Sequence, residues 1–318
     1  MDGIINVYKE RGFTSHDVVA KLRGILKMKK IGHTGTLDPD ACGVLPVCLG
    51  HATKVCELLT DKRKTYETVL LLGYETDTQD VSGQILNKKE VTVTEEEVRR
   101  VAQSFLGDQM QVPPMYSALK VDGKKLYELA REGKTVERKA RPVTFYELEI
   151  LGMELPRVRI RVTCSKGTYI RTLCHDIGQT LGCGGCMEEL LRTYVEPFAL
   201  KDSLTLAQIQ QMADAGRVPE ILCPVEQLFA DMPARSIRPQ FTKYMYNGNP
   251  LKPQWVEEKD GQTENTITPH AENEAMEGKN RIPAGEIRLY TEQGVFFGIY
   301  EYRQDRHQYK LKKMFYGG

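Results

Sequence analysis

Four short stretches hold the residues most able to do chemistry. The densest is Gly32-His33-Thr34-Gly35-Thr36-Leu37-Asp38-Pro39-Asp40-Ala41-Cys42-Gly43-Val44-Leu45. Two glycines flank His33-Thr34, so the backbone can bend tightly and approach a ligand. Asp38 precedes a proline, which biases it towards an extended conformation. In a dry pocket its carboxylate would be a nucleophile or base; in the plain reading it caps an Asp-Pro turn. The run lacks the Gly-Lys-Ser/Thr ending of a phosphate loop and is not GxGxxG. The second stretch, Ser165-Lys166-Gly167-Thr168-Tyr169-Ile170-Arg171, falls where a strand gives way to a helix. Such a junction presents free amides to an anion, and Arg171 offers a planar fork to a carboxylate or phosphate. A surface ion pair is the plain alternative. In the third, Lys62-Arg63-Lys64-Thr65-Tyr66, the tyrosine is placed to stack on a base, to exchange a proton, or simply to half-bury in a strand. The fourth, Val112-Pro113-Pro114-Met115-Tyr116-Ser117-Ala118-Leu119-Lys120, stiffens the entry to a protruding basic loop. Lysines and arginines interleaved with Tyr116 and Tyr127 suit an RNA surface.

The surrounding pattern supplies the elements that must hold these residues. Gly3 to Tyr8 reads as a strand. Thr14 with Asp17 opens a helix carrying Val18, Val19, Leu22, Ile25 and Leu26. Gly32 to Gly50 reads as a glycine-punctuated loop, and Thr65 to Gly73 as a strand. Thr94 with Glu97 starts a helix that carries Val98, Val101, Ala102, Phe105 and Leu106 and ends at Gly107. A short helix is expected around Lys125 to Arg131. Val143 to Met153 and Arg157 to Ser165 read as strands. The second alternates, with Val158, Ile160, Val162 and Cys164 one way and Arg157, Arg159, Arg161 and Thr163 the other. Tyr169 to Leu181 and the region of Leu206, Ile209, Met212 and Ala213 read as helices. After about Leu228 the texture changes to short strands near Ile287 to Thr291, Gly294 to Tyr302 and Tyr309 to Phe315.

The 318 residues suggest about two domains. At 41% apolar and 27% charged residues, the composition is that of a folded globular protein. There is no membrane-length apolar run, and the N-terminus lacks a signal-peptide shape. The net charge of +1 hides local structure. Residues 18–37 hold five basic residues and no acid, and residues 118–141 hold eight basic against four acidic. A third basic run spans 303–313, and seven acids against one lysine crowd 254–278. Among eight scattered cysteines only Cys183 and Cys186 form a CxxC, with no second pair to complete a zinc site, so no metal is expected and the thiols read as reduced.

Taken together, the motifs resemble the TruB family of tRNA pseudouridine synthases. The matching segments are GHTGTLDPDACGVLPVCLGHATK, KRKTYETVLLLGYETDTQDVSG, VPPMYSALKVDGKKLYELAREG and CSKGTYIRTLCHDIG, in the family's order across roughly residues 2–228. The resemblance implies an α+β pseudouridine synthase fold: a mixed, mostly antiparallel sheet flanked by helices, with a thumb-loop insertion at about 111–141. It implies a catalytic domain over 1–228. Residues 229–318, through Tyr246-Asn247-Gly248-Asn249-Pro250-Leu251, resemble the small β-rich PUA-like RNA-binding domain that follows that core. The acidic 254–278 loop is expected to point away from tRNA. The implied reaction turns uridine 55 of the tRNA T loop into pseudouridine without cofactor or metal, with a tRNA-folding chaperone role alongside. Residue by residue, Asp38 matches the nucleophile, Arg171 its partner, and Tyr66 the tyrosine against the target base. His33 matches a T-loop contact, and Lys9 and Leu190 match active-site wall positions. Tyr169, Arg192, Lys120, Lys124 and Lys125 complete the expected RNA-binding set. The implied partner is the tRNA T stem-loop, for a cytoplasmic monomer with no membrane association and no obligate protein partner. A guide-RNA-dependent relative in a multiprotein particle is the main rival; those relatives lack the thumb. Two departures stand out. Lys9-Glu10-Arg11-Gly12 replaces the usual Lys-Pro-x-Gly, and Leu191-Arg192-Thr193 replaces a usual Arg-Arg ending.

Overall fold

A computed structural model describes residues 1–121, 123–259 and 285–316. Most of the acidic 254–278 stretch, and with it the expectation about where it points, lies outside the described residues. The chain forms two compact units. One takes residues 5–48 and 55–221; the other takes 1–4, 49–54 and 222 onward.

The larger unit is built on a mixed sheet. Its main strands are β1 (Gly3–Lys9), β2 (Cys42–Leu49), β3 (Lys64–Leu72), β4 (Gly107–Gln111), β5 (Arg141–Glu154), β6 (Arg157–Cys164) and β7 (Gly185–Val195). Their spatial order is β1-β2-β7-β3-β6-β5-β4. Pairing is antiparallel from β7 through to β4, while β7 runs parallel to β2. In β3 every second residue is buried, so Lys64, Tyr66, Thr68, Leu70 and Leu72 share the inner face. β6 alternates as its sequence predicts. On its outer face Arg161 pairs with Glu67 and Glu149 on the neighbouring strands.

Helices α1 (Ser15–Leu26) and α2 (Glu95–Ser104) begin at the expected capping boxes on Thr14 and Thr94. α2 stops before Leu106, which is 40% exposed rather than part of the buried stripe. α3 (Leu126–Arg131), α4 (Ile170–Thr180) and α5 (Leu206–Asp214) follow. The core between α2, α4 and the sheet includes Leu70, Val98, Phe145, Ile160, Leu173 and Ile177. Between β4 and β5 the chain makes a small hairpin, Lys120–Val121 against Lys124–Lys125, that leads into α3. This insertion has a satellite core of Met115, Leu126 and Leu129.

Of the strands that escaped the sequence reading, two bear on the site. β2 lies inside the expected Gly32–Gly50 loop. Buried along nearly its whole length, it shows no alternation to read. β7 carries Glu188, Glu189 and Arg192, and two register shifts break its period of two. Yet β7 is the central strand that joins β2 to β3.

The smaller unit contains β8 (Ala234–Ile237), β9 (Val256–Glu258), β10 (Glu286–Tyr290), β11 (Phe296–Arg303) and β12 (Gln308–Met314), ordered β9-β8-β10-β11-β12. Ile237, Met245, Leu251, Ile287, Phe297 and Tyr300 form its core. No helix among the described residues is long and apolar enough to cross a membrane.

Candidate active site

The first turn of α4 carries Arg171, which is 6% exposed and faces the loop between α1 and β2. Its Nε lies 3.1 Å from Asp38 Oδ2, and Nη2 reaches Oδ1 at 3.5 Å. The rest of the guanidinium is also engaged. Nη1 donates to Thr78 O at 3.0 Å and lies 3.4 Å from Asp80 Oδ2, and Nη2 donates to Tyr116 O at 2.8 Å. One buried cation thus serves two carboxylates and two carbonyls, a use of the fork that lysine cannot copy. Asp80 is held in turn. Its Oδ1 accepts from Thr78 Oγ1 at 2.8 Å and from Ser82 N at 3.0 Å.

The Asp38 loop is pinned from below. Lys9 is fully buried, and its Nζ donates to Ala41 O at 2.6 Å, Pro39 O at 3.0 Å and Glu10 O at 3.1 Å. Ser15 Oγ accepts from Leu37 N at 2.9 Å. Gly43 has φ +108°, and a Cβ there would sit 2.2 Å from Arg192 O, so only glycine fits. Lys9 therefore grips the loop despite the glutamate that follows it.

Burial raises the Asp38 pKa above its ordinary value; Arg171 opposes this, Asp80 adds to it, and Lys9 opposes it. The carboxylate keeps 41% of its side-chain surface open, so the cleft is dense on one side and accessible on the other. Tyr66 is 8% exposed, and burial raises its phenol pKa while Arg192 works against the rise. Its ring belongs to the cluster containing Leu37 and Ala41, on either side of Asp38, and Leu190 packs against that cluster. Asp38, Arg171, Tyr66 and Leu190 are thus gathered in one place. Such a site can ionise a carboxylate against a fixed cation, beside a phenol and an apolar wall.

The other expected residues fall around it. Tyr169 is the N-cap of α4, and the buried Gln111 amide binds its backbone at both ends. His33 packs edge-to-face on His16, 5.5 Å between ring centres, and its pKa is lowered by burial and by the His16 charge. Arg192 is 1% exposed and spends its guanidinium on Val44 O and Gly35 O. Lys120 and Lys124 are exposed on the thumb hairpin, where Lys124 lies 4.0 Å from Glu132. Lys125 Nζ donates to Tyr127 OH at 3.1 Å. These three lysines make no contact with the Asp38 carboxylate.

Asp80 and Gln111 were not singled out from sequence. For Asp80 the signal was present: Thr78-Gln79-Asp80-Val81-Ser82 is a turn pattern that fixes a carboxylate. Among the described residues, no three His, Cys, Asp or Glu side chains are grouped to hold a metal ion.

Comparison with known proteins gives the family. Residues 23–170 match the model of the TruB family pseudouridylate synthase N-terminal domain, and residues 171–230 match that of the tRNA pseudouridylate synthase B C-terminal domain. A tRNA pseudouridine synthase B from Lachnoclostridium phytofermentans is 51% identical over 99% of this chain and all of its own length. The chain belongs to the TruB family. It is an isomerase that modifies tRNA by forming pseudouridine. Another TruB relative, tRNA pseudouridine synthase B of Geobacillus thermodenitrificans, is 44% identical over 91% of the chain and 98% of its own. Among solved structures, a chain from a Cbf5-Nop10-Gar1 complex aligns at TM-score 0.68 and 25% identity, covering 99% of this chain and 85% of that one. A chain from an H/ACA RNP bound to a substrate RNA aligns equally well at 24% identity, which shows the fold. The site draws on both matched TruB segments: Asp38 and Tyr66 come from the first, and Arg171 opens the second.

Proposed function

We propose that this TruB enzyme acts on uridine 55 of the tRNA T loop, with Asp38 as nucleophile and without a cofactor. The observation that supports this reading best is the Asp38–Arg171 pair, 3.1 Å apart, with Arg171 buried. The reaction breaks the N1–C1′ bond and forms C5–C1′; N1 gains a proton and C5 loses one. Attack at uracil carbon 6 or at the anomeric carbon needs the same thing: an ionised carboxylate, oriented by a fixed cation. Tyr66 packs against the base and is placed to handle the carbon 5 proton. A uridine inside a folded loop must swing out to reach a buried site. The thumb lysines and the 18–37 run hold flanking phosphates, so recognition rests on loop shape and backbone. The partner is the T stem-loop of tRNA; the protein works as a cytoplasmic monomer, with residues 229–318 as a PUA-like RNA-binding domain. The thumb surface does not depend on Asp38, so the same contacts serve a tRNA-folding role.

The test is tritium release from a T-arm stem-loop carrying 5-tritiated uridine, with wild type beside Asp38→Asn and no metal or nucleotide added. Release by wild type alone is expected. Release by both would remove Asp38 from the nucleophile role. Tight binding with no release by either would leave only the folding role.

A further inference from the structure

Arg192 is among the largest fully buried side chains, yet no carboxylate pairs with its guanidinium among the described residues. Its charged neighbours are cations: Lys9, Lys64 and His33 all feel its charge unfavourably. A buried guanidinium without a counter-ion is costly, and packing alone would favour an apolar side chain there. Its contacts show where it is directed. Arg192 in β7 stands directly across from Tyr66 in β3. Opposed residues of an antiparallel pair share a face, and the guanidinium lies close enough for its charge to work against the rise of the Tyr66 phenol's pKa. Nε donates to Val44 O at 2.7 Å and Nη2 to Gly35 O at 3.3 Å, which fixes the fork in place.

Arginine only donates. A phenol engaged by it has to accept, which leaves its own O–H to point elsewhere. Tyr66 shares a buried cluster with Leu37 and Ala41, which bracket Asp38. We infer that Arg192 is a positioning residue acting through Tyr66: its guanidinium engages the phenol oxygen as acceptor and fixes how that oxygen faces the uracil. This departs from a direct RNA contact, and it rests on the pseudouridine synthase reading of the same site.

The experiment is a double-mutant cycle read by single-turnover tritium release, with enzyme in excess over the T-arm stem-loop. Arg192→Met should slow release about 100-fold. Stem-loop affinity should stay within about threefold of wild type. Tyr66→Phe combined with Arg192→Met should be no slower than Tyr66→Phe alone, because the second change removes a partner already gone. Fully additive losses would overturn the inference, as would a loss confined to affinity. Arg192→Lys covers the case in which Arg192→Met fails to fold or Tyr66→Phe is silent. It keeps a donor-only cation, so at equal RNA affinity it should run about tenfold below wild type and above Arg192→Met wherever that variant folds. Arg192→Lys at full rate, or no faster than a folded Arg192→Met, would overturn the inference. Absence of release by wild type would instead sink the functional reading, so the two failures are distinct.

Discussion

The Asp38 loop and the thumb insertion are of opposite construction. The loop, residues 32–45, is knotted from inside: buried Lys9 holds three of its neighbouring carbonyls, and buried Arg192 holds two more. The insertion, residues 111–141, carries its cations outward and has only a satellite core of three buried residues. Buried cations brought in from other elements fix the loop's carboxylate, whereas the insertion turns its own lysines and arginines towards solvent. Chemistry needs groups held within a fraction of an ångström. Recognition of a folded RNA tolerates adjustment. The two meet at Tyr116, whose carbonyl accepts from Arg171 at 2.8 Å and whose hydroxyl donates to Asp77 at 3.3 Å.

The largest expected effect breaks the loop's chemistry and spares the thumb. Asp38→Asn should lower single-turnover release by about 10⁴-fold or more, while tRNA affinity falls less than about tenfold, about 1.4 kcal/mol. Filter binding beside the release assay checks both; a parallel collapse of affinity would mean that Asp38 supports the RNA surface too. Next is Arg171→Lys. Losing the fork at Asp38, Asp80, Thr78 and Tyr116 should cost on the order of 10²-fold in rate. A near-normal rate would show that charge alone suffices.

How much of this was legible follows from how each residue announces itself. Asp38, Tyr66 and Arg171 sit inside long unusual motifs, so their types and order marked them. Capping boxes at Thr14 and Thr94 marked two helices because those signals are local. β7 was not legible, because bulges and two glutamates hide its period while its burial comes from strands on both sides. The inward aim of Arg192 was invisible for the same reason: only the pairing of β7 with β3 turns an apparent surface arginine into a buried one. Asp80 lay in a readable turn, but its role depends on Arg171, 91 residues away.

Two further tests sharpen the contrast. Lys9→Met should destabilise the larger unit by roughly 3 kcal/mol, since three carbonyls, that of Ala41 buried, lose their donor. Thermal unfolding measures this, and no change would show the loop to be held by other means. On the thumb, Lys120, Lys124 and Lys125 together changed to alanine should raise KM about tenfold and leave kcat within about twofold. The slope of log affinity against log salt should fall by about 2. A drop in kcat instead would mean that the insertion takes part in the chemical step.

The smallest expected effect tests how Asp38 is tuned. Its carboxyl is protonated more readily than an ordinary aspartate, first because burial penalises the charge and then because Asp80 repels it. The ionised form is the reactive one, so rate is lost as pH falls through a pKa raised above 3.8, and the acid limb of kcat sits higher than for a free aspartate. Asp80→Asn removes a like charge, keeps an amide beside Arg171, and should move that limb down. The rate well above the limb should change little. A limb that moves upward would reverse the assignment. It would mean that Asp80 matters less as a negative charge near Asp38 than as the group that keeps Arg171 turned towards it, 3.4 Å from Nη1.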